Sequence, residues 1–221
     1  MDIHGRPVLF YRWGVFLLAG GYAIWKIWQS DYTETGGPFR FLTIWALLMS
    51  FFAASRMLAI TEGRSDLQWA PVIGATAALN AMVVILYWRM YLEDPAMLST
   101  GPLIRHEQWY LHAVGPALQW FDMLFIWRGF RRYLPAAGVL IAITLLYIGW
   151  TEGIVAPGSA LPRGSETSGL PYPFLNDMDV TARVNYYATV AAAGLVVLAL
   201  FRLVAGGVRL IFRPLAREKV G

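Results

Sequence analysis

The chain has 221 residues, of which 57% are hydrophobic and 14% are charged, with a formal net charge of +4. Soluble domains carry about 45–50% apolar and about 25% charged residues, so the composition excludes an ordinary soluble domain and a disordered chain. Cysteine is absent, which excludes disulfide bonds, thiolate nucleophiles and cysteine-ligated metal sites. Because the basic residues flank apolar stretches, anionic lipid headgroups are a simpler partner than nucleic acid.

The apolar residues occur in six blocks, each long enough to form a transmembrane helix. About 20 apolar residues, at about 1.5 Å each, cross about 30 Å of hydrocarbon. The sequence therefore predicts an all-α integral membrane protein with six transmembrane helices in one bundle, a single domain over residues 1–221. The predicted spans are residues 8–29, 38–60, 69–91, 107–127, 133–154 and 184–212.

The charge distribution predicts the orientation of these spans. Six spans put both termini on one side, and 12 of the 18 lysine and arginine residues lie there. The positive-inside rule therefore places both termini in the cytoplasm. The long connection at residues 155–183, rich in Gly, Pro and Ser, then faces the non-cytoplasmic side. Its segment 170–176 (LPYPFLN) indicates a piece folded back onto the mouth of the bundle.

Isolated polar side chains inside the spans are costly in a bilayer, so each is a candidate functional residue. His112 lies about one turn into the fourth span, where it either belongs to a site or bonds a backbone carbonyl or a lipid headgroup. Thr43 lies about five residues into the second span. Both spans begin on the outer side, so the two side chains are expected at similar depth. Residues 36–38 (GGP) are expected to open the second span, with its free N–H groups directed to the same region.

Other polar residues in or near the spans have structural interpretations. Asp122 is expected to approach the cytoplasmic surface and to pair with an arginine such as Arg128. Asn80 suits a hydrogen bond between packed helices. The outer carboxylates that either orient a histidine or face water are Glu152, Asp177 and Asp179.

The sequence has no pattern for a cofactor or a metal. Haem held by two histidines is not expected, because only His112 lies securely within a span. A retinal Schiff base is not expected, because Lys26 and Lys219 lie at or beyond span ends. Walker, Rossmann, HExxH and Gly-x-Ser-x-Gly patterns do not occur in the sequence. We therefore expect neither a cofactor nor a metal ion.

Three segments together resemble a known family. Residues 39–43 (FRFLT) resemble its aromatic-x-aromatic/Leu-Leu-Thr element at the start of the second span. Residues 111–116 (LHAVGP), followed by Asp122, resemble its fourth-span histidine with a proline four residues on. Residues 172–176 (YPFLN) resemble its Tyr-Pro-Phe-Leu element before the last span. In order, spacing and span count the chain resembles the androgen-induced-gene family of six-span membrane proteins, as a bacterial-type member.

The resemblance implies an activity and two catalytic residues. Animal members of this family hydrolyse fatty acid esters of hydroxy fatty acids with a threonine nucleophile and a histidine, which correspond by position to Thr43 and His112. The expected function is an intramembrane hydrolase of lipid esters, a threonine-type esterase whose mouth faces the non-cytoplasmic side. Its expected partners are membrane lipids and a lipid ester or fatty acid, not nucleic acid, and no oligomeric state is predicted.

Further residues are candidates for contacting the substrate or stabilising an oxyanion. Free N–H groups at the start of the second span, or Asn80, are expected to donate to the oxyanion. Apolar side chains are expected to line the acyl chains, and the Tyr-Pro-Phe-Leu element is expected to cover the mouth. Beside Asn80, these candidates are Phe41, Trp45, Trp120, Tyr172, Phe174 and Asn176.

Two non-catalytic functions would use the same features. A lipid-binding or lipid-sensing bundle would hold a fatty acid or headgroup in the same pocket, with His112 as a pH-sensitive hydrogen-bond partner. An accessory subunit would use the long outer loop as its docking surface. Turnover of a lipid ester distinguishes the hydrolase from both.

Overall fold

The computed structural model describes residues 3–94, 98, 106–130 and 132–212; Lys219 and the last residues of the predicted domain lie outside them. Within this part of the chain the helices are α1 (Arg6–Gln29), α2 (Leu42–Thr61), α3 (Ala70–Glu93), α4 (106–126), α5 (Tyr133–Gly158) and α6 (Val180–Ile211). All of them except α4 are long and apolar enough to cross a membrane. The all-helical class is confirmed, and the apolar helices indicate a multi-pass membrane protein.

Helix α4 alternates between α and π turns. Its π-helical turns are Tyr110–Val114 and Asp122–Ile126. In an α-helix the amide of residue 116 would donate to the carbonyl of residue 112, but Pro116 has no N–H. The amide of Gly115 donates to the carbonyl of Tyr110, five residues back, as in a π turn. A Cβ at Gly115 would lie only 3.0 Å from that carbonyl oxygen, so this close turn favours glycine.

Helix α2 begins later than the sequence predicts. Gly36 and Gly37 turn the chain with φ angles of +84° and +46°, a left-handed conformation that glycine adopts freely. Pro38 then lies in a separate 3₁₀ helix, Gly37–Arg40. Phe41 is extended (φ −101°, ψ 130°), so α2 starts at Leu42. The prediction that residues 36–38 open the second span is therefore wrong, and Thr43 is the second residue of α2.

Helix α3 is the centre of the bundle. It packs against α2, α4, α5 and α6, and it is the most deeply buried of the long apolar helices. Small residues such as Ala77 and Ala78 are fully buried there and let the neighbouring backbones approach closely. The outer helices expose large apolar side chains, among them Phe10, Leu145 and Leu203. This surface is suited to lipid, because none of the described helices covers these side chains and exposing them to water is unfavourable.

A buried ion pair joins α1 to α4. Arg12 donates to both carboxylate oxygens of Asp122, with an Nη2–Oδ1 distance of 2.7 Å and an Nε–Oδ2 distance of 2.9 Å. The same guanidinium reaches α2, where it donates to the carbonyl of Met57 (2.9 Å) and to Oγ1 of Thr61 (2.6 Å). Asp122 therefore pairs with an arginine, as predicted, but the partner is Arg12 and not Arg128. Arg128 follows α4 with a φ of +53° and donates to a carbonyl of its own turn.

The connection between α5 and α6 is folded back onto the bundle. Arg40 donates to the carbonyl of Leu161 (2.8 Å), and the Thr35 hydroxyl donates to the carbonyl of Gly158 (2.7 Å). Within the loop the buried Asn176 amide accepts from the Leu170 N–H and donates to the Leu170 carbonyl, each at 3.1 Å. These bonds hold residues 159–179 against the helix ends. We call residues 159–179 the lid loop.

The outer carboxylates have structural partners. Asp179 accepts a hydrogen bond from the Ala182 amide (2.7 Å) and so caps α6, a favourable role for aspartate. Asp177 accepts from the Ser165 amide within the lid loop. Oε1 of Glu152 accepts from Arg183 (3.1 Å) and from the Tyr187 hydroxyl (2.7 Å). In the contacts of the described residues none of these carboxylates orients a histidine.

Candidate functional site

A cavity of about 460 Å³ lies at one end of the bundle. Each of the six helices contributes a side chain to the cavity wall near this end of the bundle. These side chains are Lys26, Thr43, Met90, Gln108, Thr151 and Tyr186. They lie at the ends of α1, α3 and α5 and at the starts of α2, α4 and α6, so these six helix ends meet at one face. We call this the loop face, because Pro171, Tyr172 and Phe174 of the lid loop also line the cavity.

The depth and lining of the cavity suit an apolar ligand. At its inner end it reaches Leu79 and Met82, near the middle of α3, and Leu140 of α5. Pockets for small molecules have volumes of about 300–1,000 Å³ and are mostly apolar with a few polar groups. Thr43 and His112 both line this cavity. A hydroxyl and an imidazole are the kinds of group that can attack an ester and accept a proton.

Thr43 lies in the first turn of α2, at the loop face. The amides of a helix's first turn have no intrahelical acceptor, and the positive end of the helix dipole lies there. The side chain is half-buried and lines the cavity. A developing negative charge beside Thr43 would therefore be electrostatically favoured.

His112 lies on the first π turn of α4, and its side chain is almost fully buried. Its Nδ1 atom is buried without a hydrogen-bond partner among the described residues. A buried polar atom left unpaired costs about 1–3 kcal/mol, so this nitrogen is suited to a partner that enters the cavity. The part of the chain that the structure describes places no carboxylate against the ring.

Two neighbouring aromatic residues of α3 hold His112 in place. The Tyr87 ring stacks on the imidazole, with a centroid distance of 3.6 Å and an angle of 5° between the planes. The indole Nε1 of Trp88 donates to the His112 carbonyl at 2.9 Å. This is the carbonyl that Pro116 leaves without its α-helical donor. Sequence reasoning missed both residues, although a proline four positions after the histidine indicates a carbonyl that needs another donor.

Several of the other predicted site residues reach the cavity. Phe41 precedes α2 and contacts the Tyr172 ring edge to face, with a centroid distance of 6.3 Å. Phe174 lies beside Tyr172, and its ring meets that of Tyr186. Phe41, Tyr172 and Phe174 all line the cavity. The Tyr-Pro-Phe-Leu element thus contributes Tyr172 and Phe174 to the cavity lining.

The structure does not bring the remaining candidates to the cavity wall, as far as the described residues define it. Trp45 donates to the carbonyl of Phe39 (2.9 Å), and Trp120 donates to the carbonyl of Ala77 (3.1 Å). Asn176 uses its side chain inside the lid loop.

Asn80, the predicted oxyanion donor, does not line this cavity; it lines a much smaller pocket that Thr43 also lines. Its amide nitrogen donates to the Ser50 hydroxyl at 2.7 Å and to the Gln119 side-chain oxygen. Both bonds join helices, so Asn80 has the packing role that its sequence context allows.

One ion pair lies beside the cavity. The Lys26 Nζ atom is 3.6 Å from Oε1 of Glu107, and Trp25 donates to the other oxygen of that carboxylate at 3.3 Å. Lys26 lines the cavity, so it brings positive charge to the mouth. Among the described residues, no three His, Asp or Glu side chains lie close enough to hold a metal ion.

These observations define a helical membrane protein with an apolar cavity that contains a threonine and a histidine. The sequence model of the family described as FAR-17a/AIG1-like protein matches residues 9–205. The chain therefore belongs to this family, which confirms the resemblance to the androgen-induced-gene proteins; the bacterial type stays a prediction. Searches of curated proteins and of solved structures returned no significant match.

Proposed function

We propose that the protein is an intramembrane hydrolase of lipid esters, in which Thr43 is the nucleophile and His112 is the general base. The observation that carries the proposal is that both side chains, from separate helices, line one apolar cavity. Membership of the FAR-17a/AIG1-like family is compatible with a membrane hydrolase. The substrates we propose are fatty acid esters of hydroxy fatty acids or similar lipid esters.

The reaction proceeds in two halves. Thr43 Oγ forms a bond to the ester carbonyl carbon while His112 takes the hydroxyl proton, because a threonine hydroxyl alone is a poor nucleophile. The tetrahedral intermediate then breaks its bond to the leaving oxygen, and His112 returns the proton to that alkoxide. In the second half His112 takes a proton from water, which attacks the acyl-threonine carbonyl carbon. The bond to Thr43 Oγ then breaks, His112 returns the proton to that oxygen, and the fatty acid leaves.

The surroundings of His112 support a role toward a ligand. Its Nδ1 atom has no partner among the described residues, and Tyr87 fixes the ring plane by stacking. A general base needs an unoccupied nitrogen within reach of the proton that it takes. In this site, stacking takes over the orienting role that a carboxylate has in many triads.

We also propose that the chain crosses the membrane six times with both termini in the cytoplasm. Helix α4 also spans the membrane, which brings the number of spans to six. Its 106–126 segment is about 30 Å long at about 1.5 Å per residue. The excess of lysine and arginine on the side of the termini supports cytoplasmic termini. The loop face, with the mouth of the cavity, then faces the non-cytoplasmic side.

The test is hydrolysis of a panel of long-chain and branched fatty acid esters by the purified protein in detergent. Thr43→Ala and His112→Ala are each expected to lower kcat by at least about 100-fold, as for removal of a nucleophile or a general base. Thr189→Ala is the matched control, because its exposed hydroxyl bonds only the carbonyl one turn back. Full activity of Thr43→Ala or His112→Ala, with the fold intact, would contradict the proposed mechanism.

One observation favours a second function, a non-catalytic lipid-binding bundle. In the described residues His112 has no third group of the catalytic-triad type, and the cavity is mostly apolar. If the wild type hydrolyses no ester in the panel, mass spectrometry of lipid that co-purifies distinguishes a lipid binder from an empty bundle. His112→Ala would then lower the amount of bound fatty acid.

A further inference from the structure

The cavity ends at a glycine. On α3, α5 and α6 the lining residues farthest from the loop face are Leu79, Leu140 and Gly194. A Cβ atom on Gly194 would lie 3.4 Å from Cδ2 of Leu140 and 3.6 Å from Cγ of Met82, so α3, α5 and α6 meet at this place. Gly194, Leu140 and Met82 are all buried. We call these three residues the cavity floor.

Close-packed side chains lie beyond the cavity floor. One turn further from the loop face, α5 has Ala137 and α6 has Leu198. Both are buried in the main hydrophobic core, and neither lines the cavity. Because protein interiors are close-packed, a ligand that reaches the floor cannot go deeper without displacing side chains.

The inner part of the cavity, beyond Tyr87 on α3 and Tyr147 on α5, is suited to the apolar end of a lipid. Among the described residues, the only polar side chain that lines it is Thr144, whose hydroxyl donates to the Leu140 carbonyl at 2.9 Å. The charged side chain of the lining, Lys26, lies at the mouth. A polar group in the inner part would be buried without a partner, which is unfavourable. An amphiphilic ligand therefore enters with its apolar end first.

The floor lies well below the proposed catalytic histidine. The Tyr87 ring stacks on the His112 imidazole, so Tyr87 marks the level of His112 on α3. From Tyr87 to Leu79 the helix extends by about 12 Å, at about 1.5 Å per residue. An ester between Thr43 and His112 thus has space below it for an acyl chain of limited length.

We propose that the cavity floor selects the length of the acyl chain, and that Gly194 sets the limit. The inference rests on the proposed function for the position of the ester, at Thr43 and His112, and it makes Gly194 a residue that determines specificity. Each buried methylene favours binding by about fourfold. Affinity therefore rises with chain length until the chain reaches the floor. Any side chain at position 194 would fill the space between Leu140 and Met82 and shorten the longest chain that fits.

The test measures the affinity of the purified protein in detergent for saturated fatty acids from octanoate to stearate. Gly194→Leu should keep octanoate affinity within about twofold of wild type and lower stearate affinity by at least about tenfold, because each methylene that no longer fits costs about fourfold. The ratio of variant to wild type at each length cancels partition into detergent. Gly138→Leu is the matched control, since Gly138 is exposed on α5 and a Cβ there would meet nothing within 4 Å.

Two milder variants test the floor if Gly194→Leu does not fold. Gly194→Ala adds one methyl group at ordinary contact distance, so it should lower stearate affinity by up to about fourfold and leave octanoate unchanged. Leu140→Ala removes atoms from the floor and should act in the opposite direction. It should raise the ratio of stearate affinity to octanoate affinity above that of wild type.

The outcomes separate this inference from the proposed function, because binding of a fatty acid needs no catalysis. If the variants change octanoate and stearate affinity equally, or change neither, or if the wild type binds none of the acids, the inference is overturned. The proposed hydrolase then still depends on Thr43→Ala and His112→Ala. If the affinities shift as expected but the wild type hydrolyses no ester, the proposed function fails and the floor belongs to a fatty acid binding site.

Discussion

The indole Nε1 of Trp88 donates a 2.9 Å hydrogen bond to the carbonyl oxygen of His112. Pro116, four residues after His112, cannot supply the N–H that an α-helix would place there. An interhelical bond from α3 therefore completes the π turn of α4 on which the histidine lies. The position of His112, the proposed general base, thus depends on Trp88, which takes no part in the proposed reaction.

Trp88→Phe is expected to lower both stability and kcat. The substitution leaves the His112 carbonyl without this donor, at a cost of about 1–3 kcal/mol. Thermal unfolding in detergent and ester hydrolysis measure the two effects. Trp13→Phe, at an exposed position on α1, is the control and should leave both near wild type.

A second substitution tests the cause. Pro116→Ala supplies an N–H at residue 116, so we expect it to restore part of the loss in the Trp88→Phe background. Double-mutant cycles measure this coupling, which is about 0.5–3 kcal/mol for groups that share a partner. Strict additivity of the two substitutions would mean that the His112 carbonyl does not link them.

Breaking the buried Arg12–Asp122 pair by removing one partner is expected to destabilise the fold strongly. Removing one partner of a buried ion pair costs about 3–5 kcal/mol, because the other charge stays buried and uncompensated. Arg12→Met should therefore lower the melting temperature strongly, and Arg12→Met with Asp122→Leu should recover much of it. Arg89→Met is the matched control, since its pair with Glu93 is exposed and worth about 0–1 kcal/mol. Equal effects of Arg12→Met and Arg89→Met would contradict this account.

The fold class follows from the sequence because length and hydropathy suffice to predict a membrane helix. Local backbone chemistry accounts for the parts that differ. Two glycines in left-handed turns separate Pro38 from α2, and Pro116 with Gly115 forces a π turn in α4. Each effect depends on a few residues, which a hydropathy pattern averages out.

The proposed site is predicted only in part. Thr43 and His112 stand out because polar residues are rare in the spans, and both line the cavity. The packed faces are not predictable in the same way, because a helix that is apolar all round carries no period that distinguishes lipid from core. The partner of Asp122 was mistaken for this reason. Arg128 is near in sequence, whereas Arg12 is near only after α1 packs against α4.

Asn176 is expected to keep the lid loop closed by its two hydrogen bonds to Leu170. Its fully buried side chain bonds Leu170 twice, so Asn176→Ala removes the bonds that close this turn. We expect faster amide hydrogen exchange over residues 165–176 and a higher KM, because an opened lid binds the substrate less well. Exchange in α3 should stay close to wild type. The control Asn185→Ala, at an exposed position, should leave both the exchange of the loop and KM close to wild type. Unchanged exchange in the loop would contradict the assigned role of Asn176.

The raised pKa of Tyr172 predicts how the stability of the fold depends on pH. Burial raises this pKa from 10.0 to about 12, so the phenol stays protonated from about pH 6 to about pH 9. Above pH 10 the unfolded tyrosine ionises before the folded one, so folding loses stability as pH rises from 10 toward 12. Melting temperatures should fall more steeply with pH in wild type than in Tyr172→Phe over that interval. Melting temperatures that fall equally steeply in wild type and in Tyr172→Phe would mean that the pKa of Tyr172 is not raised in the folded protein.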